Sequence, residues 1–116
     1  MTIPEHQVFD EGSLDIRDGV VKITGEFSVG ALATAFNLLQ DELFSPDTVP
    51  PIIEFDMSET EYLDSTGLRY ILSSERMNAR LNRTKLRIRA NESIDRLFEI
   101  TGIKDLFEFV VEDVEQ

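Results

Sequence analysis

Apolar and polar positions alternate along Leu14-Asp15-Ile16-Arg17 and again along Val20-Val21-Lys22-Ile23-Thr24, with Asp18-Gly19 between the two runs. A period of two marks a strand with one buried face. An Asp-Gly pair joining two such runs predicts a hairpin with a type I′ turn. Past Gly25 the period changes. Val29, Leu32, Ala35, Phe36, Leu39 and Leu43 recur at helical spacing. They predict a helix over 28–44, with Ser28 as its cap and Gly30 a mild cost near its start. Ser45-Pro46-Asp47 ends that helix, and Val49-Pro50-Pro51 forces an extended lead-in to a strand over 52–57. The dense apolar content of that strand predicts a central place in a sheet.

An acidic turn, Ser58 to Leu63, precedes a second helix over 66–81 with Leu68, Ile71, Leu72 and Ala79 as its apolar stripe. Glu75 falls on the same stripe, either at its edge with the carboxylate in water or paired with an arginine. Asn82 is a candidate left-handed cap. Lys85-Leu86-Arg87-Ile88-Arg89 alternates strictly, which predicts a strand with a wet basic face, suited to a sheet edge. Asn91 caps a third helix that turns Ile94, Leu97, Phe98 and Thr101 inward and ends at Gly102. Leu106 to Val111 closes the chain as a helical turn, a strand, or one followed by the other. Val114 to Gln116 either begins a further helix or frays, and residues 1–10, lacking a period, are expected to form a flexible tail. The order predicts a single α/β domain over 1–116 with its core at about 12–112. Its mixed sheet has about five strands, with helices mainly on one face.

Composition narrows the function classes. The 116 residues carry a net charge of −12 and no Cys. A polyanionic partner would be repelled, so no nucleic acid is expected. Disulfides and thiolate metal sites are excluded. No apolar run is long enough to cross a membrane, and no basic, then apolar leader opens the chain. A cytoplasmic protein without membrane insertion is the expectation. Charge is segregated: residues 23–68 hold nine acids and no Lys or Arg, and residues 69–104 hold nine Lys or Arg and four acids. Mixed by folding, these blocks make an ordinary solvated surface. Kept apart, they leave an acidic surface around Asp64-Ser65 that suits a basic partner.

Little in the chain looks catalytic. No nucleophile-elbow, zinc-metalloprotease His pair or phosphate-loop motif occurs, and Ser65 has no base nearby except the distant His6. Asp56, Glu59, Glu61 and Asp64 offer oxygen ligands, but their spacing matches no calcium loop. No enzyme, no cofactor and no metal are expected. What stands out is Asp64-Ser65-Thr66-Gly67-Leu68, a helix start carrying two hydroxyls. Such a position favours added negative charge and therefore a phosphate.

The order of the elements and three segments together resemble the STAS domain family. The segments are Gly25-Glu26-Phe27 after the hairpin, Asp56-Met57-Ser58 followed by Asp64-Ser65-Thr66-Gly67-Leu68, and the late Arg96-Leu97-Phe98-Glu99-Ile100-Thr101-Gly102-Ile103. The resemblance spans about residues 12–112. It implies a stand-alone anti-sigma factor antagonist whose phosphorylated residue follows the motif Asp, which is Ser65 here, with Thr66 as the fallback. The implied partners are an anti-sigma factor that is also a serine kinase of the histidine-kinase-like ATPase class, and a serine phosphatase. The implied interface comprises Ser28, Tyr62, Asp64, Ser65, Thr66, Gly67 and Arg69. The unphosphorylated form binds the kinase, and phosphorylation releases it. An alternative within the same fold is a non-switching subunit of a lipid-transport ABC complex or a stress-signalling scaffold. Two positions depart from the family pattern: Ser28 stands where the first loop commonly has Asp, and Arg69 where the motif often continues with Gly.

Overall fold

A computed structural model of the chain describes residues 3–112. The hairpin forms as its pattern predicts. Strand β2 (Gly12–Arg17) and strand β3 (Val20–Phe27) pair antiparallel, and Asp18 and Gly19 take positive φ at the turn. From β3 onward strands alternate with helices: α1 (Ala31–Leu43), β4 (Glu54–Met57), β5 (Thr60–Leu63), α2 (Ser65–Arg80), β6 (Arg87–Ala90), α3 (Glu92–Thr101) and β7 (Glu108–Val111). A 3-10 turn, Lys104–Leu106, leads into β7, so the closing segment is a turn followed by a strand. The expected feature at Val114 to Gln116 lies outside the described residues.

The sheet is larger than expected, with seven strands in the order β1 (His6–Phe9), β2, β3, β4, β6, β7 and β5 attached to β3. Two corrections account for the excess. First, the tail is not loose, because His6–Phe9 forms β1 and pairs antiparallel with β2. Its Val8 is exposed, and it is held by backbone pairing, by the His6–Asp15 contact and by Phe9 packed on the core, so no apolar period betrays it. Second, the acidic turn is largely a strand. Eight-residue β3 is longer than β4, which matches only Val20 to Lys22, and β5 pairs with Gly25 to Phe27 beyond it. Thr60 locks this extension by donating its hydroxyl to the Ile23 carbonyl at 2.6 Å.

Strand β4 is central, as its composition predicts, and the four strands β3, β4, β6 and β7 run parallel. An advancing order with crossovers of the usual right hand favours helices on one face. There Val21, Phe55 and Ile88 line up in register and are fully buried. Phe36 of α1 packs edge-on against Phe27 and Phe55 at 5.6 and 5.7 Å, and Phe98 of α3 sits 5.0 Å from Phe109 of β7. The opposite face carries the row His6, Asp15, Lys22, Asp56, Arg89, with opposite charges as cross-strand neighbours from Asp15 onward. Such pairs stabilise a sheet by roughly 0.2–1 kcal/mol each.

This pattern corrects the edge assignment of Lys85 to Arg89. Strand β6 lies between β4 and β7, and its arginines face carboxylates rather than water alone. Glu54, almost fully buried, accepts from Arg89 Nε at 3.0 Å and lies 3.5 Å from Arg87 Nε. Glu75 takes neither expected role. Its carboxylate accepts the Leu86 N–H at 3.0 Å and so holds the chain between α2 and β6. Asn82 is left-handed as expected, with φ 58°. Asn91 caps α3 through the Ile94 N–H and Gly102 closes it with positive φ. Ile94 and Phe98 are buried, Leu97 is half-buried, and Thr101 is exposed, with its hydroxyl donated to the Leu97 and Phe98 carbonyls.

Candidate functional site

Helix α2 begins at Ser65, directly after β5, where the chain leaves the carboxyl end of the parallel strands. Its start is built by Asp64. One carboxylate oxygen accepts the Thr66 and Gly67 N–H groups at 3.0 and 3.2 Å. The other accepts the Ser28 hydroxyl. The Ser28 bond first, and the Gly67 N–H next, hold the Asp64 carboxyl below its usual range. Asp64 is therefore anionic at neutral pH.

The expected capping role of Ser28 is thus wrong. Helix α1 starts later, at Ala31, and no side chain at its N-cap position, Gly30, bonds to it. Its Leu32 N–H is instead taken by Glu11 at 3.1 Å, from the β1–β2 turn. That bond is the largest cause of a lowered Glu11 pKa. Gly30 lies outside the helix with φ 139°, a conformation side-chain-bearing residues rarely adopt. An added Cβ there would strike the Glu11 carboxylate. Freed from capping, Ser28 is buried and spans 36 residues to reach Asp64.

Gly67 is buried, and its missing side chain has a clear cause. A Cβ would collide with the Phe27 carbonyl oxygen and with Leu63. The close approach is therefore to the chain's own β3. Leu68 is buried in the core. Ser65 and Arg69 are exposed, and Thr66 is half-buried. The Ser65 hydroxyl makes no hydrogen bond among the described residues. Arg69 stands four residues on, on the same helix face. Tyr62 is half-exposed and lies beside Glu26 in the β3–β5 register.

The acids before the motif divide into two groups. Asp56 accepts from the N–H and hydroxyl of Ser58 at 3.1 and 2.7 Å, and Glu59 pairs with Lys22 at 3.0 Å. Glu26 and Glu61 are exposed and form no ion pair among the described residues. Asn91 fixes the turn from the other side, donating to the Ser58 and Thr60 carbonyls. No three His, Cys, Asp or Glu residues among those described are placed to hold a metal ion. Beside Ser65, a groove of about 330 Å³ opens between α2 and α3. Leu68, Leu72, Leu97 and Ile103 form its apolar walls, and Ser65 and Arg69 its rim.

Of the seven expected interface residues, Ser28, Asp64, Ser65, Thr66 and Gly67 converge on this helix start, and Arg69 borders it. Ser28 and Gly67 are internal supports, while Tyr62, Ser65 and Arg69 offer exposed surface. Glu11 had no signal in the sequence, and nothing there showed that Leu72 and Ile103 would meet across a groove, because their neighbours come from distant segments. No helix among the described residues is long and apolar enough to cross a membrane. Comparison with protein-family models gives no match, and comparison with curated proteins gives no significant match.

Proposed function

We propose that the chain is a STAS-type anti-sigma factor antagonist that works as a phosphorylation-controlled partner switch, with Ser65 as the modified residue. The observation that carries this reading is an exposed, unpartnered hydroxyl at the first position of α2, next to a carboxylate fixed in its ionised form. The motif around it supplies the second support. In the unphosphorylated state, Ser65, Tyr62, Arg69 and the adjoining groove form a mixed surface on which a serine kinase of the histidine-kinase-like ATPase class docks. The kinase transfers the γ-phosphoryl group of ATP to Ser65 Oγ, which gives up its proton, and ADP leaves.

The product carries roughly −1.5 to −2 added charges beside Asp64. The Thr66 and Gly67 N–H groups, the nearest donors, are already taken by Asp64. The new phosphate therefore relies on Arg69 and water, and in a closed interface it adds repulsion and desolvation cost. Release follows without refolding, and a serine phosphatase resets the switch.

The test is phosphorylation by an extract of the source cells with ATP, followed by mass spectrometry. One phosphate at Ser65, absent from Ser65→Ala, is expected. Equal labelling of Ser65→Ala would remove the assignment, and labelling confined to Thr66 would move it. The apolar groove favours a second reading, a permanent subunit such as the STAS partner of a lipid-transport ABC ATPase. In that case a co-purifying partner would stay bound to Ser65→Asp.

A further inference from the structure

Residues 76–91 contain Arg76, Arg80, Arg83, Lys85, Arg87 and Arg89 and no acid, in a chain whose net charge is −12. Folding gathers three of the six, Arg83, Lys85 and Arg87, in one place. The end of α2, the loop after it and the start of β6 meet the lead-in to β4 and the first residue of β7 around a cleft of about 440 Å³. Arg83, Lys85 and Arg87 line it against one carboxylate, Glu108, and Ile52 provides an apolar wall. The cleft lies at the far end of α2 from Ser65. Sixteen helical residues separate the two, about 24 Å at 1.5 Å per residue.

Among the described residues the hydrogen bonding around the cleft is incomplete. Arg83 gives Nη2 to the Ser45 carbonyl at 3.3 Å, but its Nη1 is buried with no acceptor. Fully buried Asn78 donates twice, to Thr84 and Glu75, while its Oδ1 accepts nothing. Lys85 bonds only the Asp105 carbonyl, at 2.9 Å, among the described residues. Arg87 is shared with Glu54. A buried polar group without a partner costs roughly 1–3 kcal/mol and calls for an explanation. Glu75, the nearest acid on α2, is committed to the Leu86 N–H.

We propose that this cleft binds a small dianionic phosphate ester. A dianion matches Arg83 and Lys85, the two lining cations that no carboxylate pairs among the described residues, Arg87 being met by Glu54. The Arg83 fork and the Lys85 ammonium would hold the phosphate, and a hydroxyl of the ester would reach Asn78 Oδ1. The size of the cleft is that of a metabolite site. A nucleic acid is disfavoured, because the rest of the surface repels a long polyanion. The site is independent of the reading of Ser65.

The test is isothermal titration of the full chain with glucose 6-phosphate, inorganic phosphate, glucose and acetate. Saturable binding of glucose 6-phosphate is expected with a Kd below about 1 mM, with acetate and glucose silent. Equal affinity for inorganic phosphate would place recognition in the anion alone and overturn the ester. Lys85→Gln, at an exposed position, should weaken binding about tenfold, and Arg83→Gln more, while Ser65→Ala changes nothing. Circular dichroism confirms that each variant is folded. No saturable binding by either phosphate, or binding indifferent to Lys85→Gln, overturns the proposal.

Discussion

Gly67→Ala sets two effects of opposite sign against each other. By helix propensity alone, Ala in the first turn of α2 would be the better residue by roughly 0.5–1 kcal/mol. The tertiary structure predicts the reverse. The new Cβ would meet the Phe27 carbonyl oxygen and the Leu63 side chain inside contact distance. Leu63 can rotate, but a backbone carbonyl within an eight-residue strand cannot. The helix must therefore lift from β3, and overpacking of this kind costs typically about 1–3 kcal/mol. Because the obstacle is backbone, the upper part of that range applies, and a net loss of about 2 kcal/mol remains after the propensity gain. For a domain of this length, with unfolding entropy near 2.1 cal/mol/K per residue, that lowers Tm by about 8 °C. Urea unfolding followed by far-UV circular dichroism measures it, with the Ala and Gly variants of exposed Arg76, inside α2, calibrating the propensity term. A Gly67→Ala variant as stable as wild type, or more so, would refute the close approach and with it the internal role of this glycine.

Phe36→Ala removes the ring that touches Phe27, Phe55 and Tyr70, and should cost about 3–5 kcal/mol in urea unfolding. Ser28→Ala removes the first cause of the lowered Asp64 pKa, so an NMR titration should show the Asp64 carboxyl moving up toward its ordinary value. Glu11→Gln should lower stability at pH 7 by weakening the hold on α1. Because the folded Glu11 pKa is lowered, that stability is present above the unfolded value, about 4.3, and is lost as pH falls through the folded value. Urea midpoints of wild type and Glu11→Gln should therefore differ at pH 7 and converge in acid, and a constant difference would refute the role of the carboxylate.

Much of the fold was legible in local pattern. The Asp18-Gly19 hairpin, the three helices, the central β4 and the caps at Asn91 and Gly102 all depend on residues within a few positions of one another. The same holds for the Ser65 helix start, since Asp64 reaches N–H groups only two and three residues on. Where the reading failed, the deciding partner came from elsewhere in the chain. Ser28 looks like a cap because cap residues are short and polar, yet its hydroxyl goes to Asp64 once β3 and β5 pair side by side. Lys85 to Arg89 looks like an edge because its charges have no local partner, yet Glu54 and β7 supply one.

Periodicity and capping are short-range physics, so the sequence by itself determined the hairpin, the three helices, the central strand and the helix start at Asp64-Ser65. Only the tertiary structure decided which charges are neutralised, what holds the start of α1, why position 67 lacks a side chain and where the basic block gathers around a cleft. Those outcomes depend on segments 20 to 40 residues apart meeting at hydrogen-bond distance. No spacing rule encodes such meetings, because they follow from the order and register of the sheet.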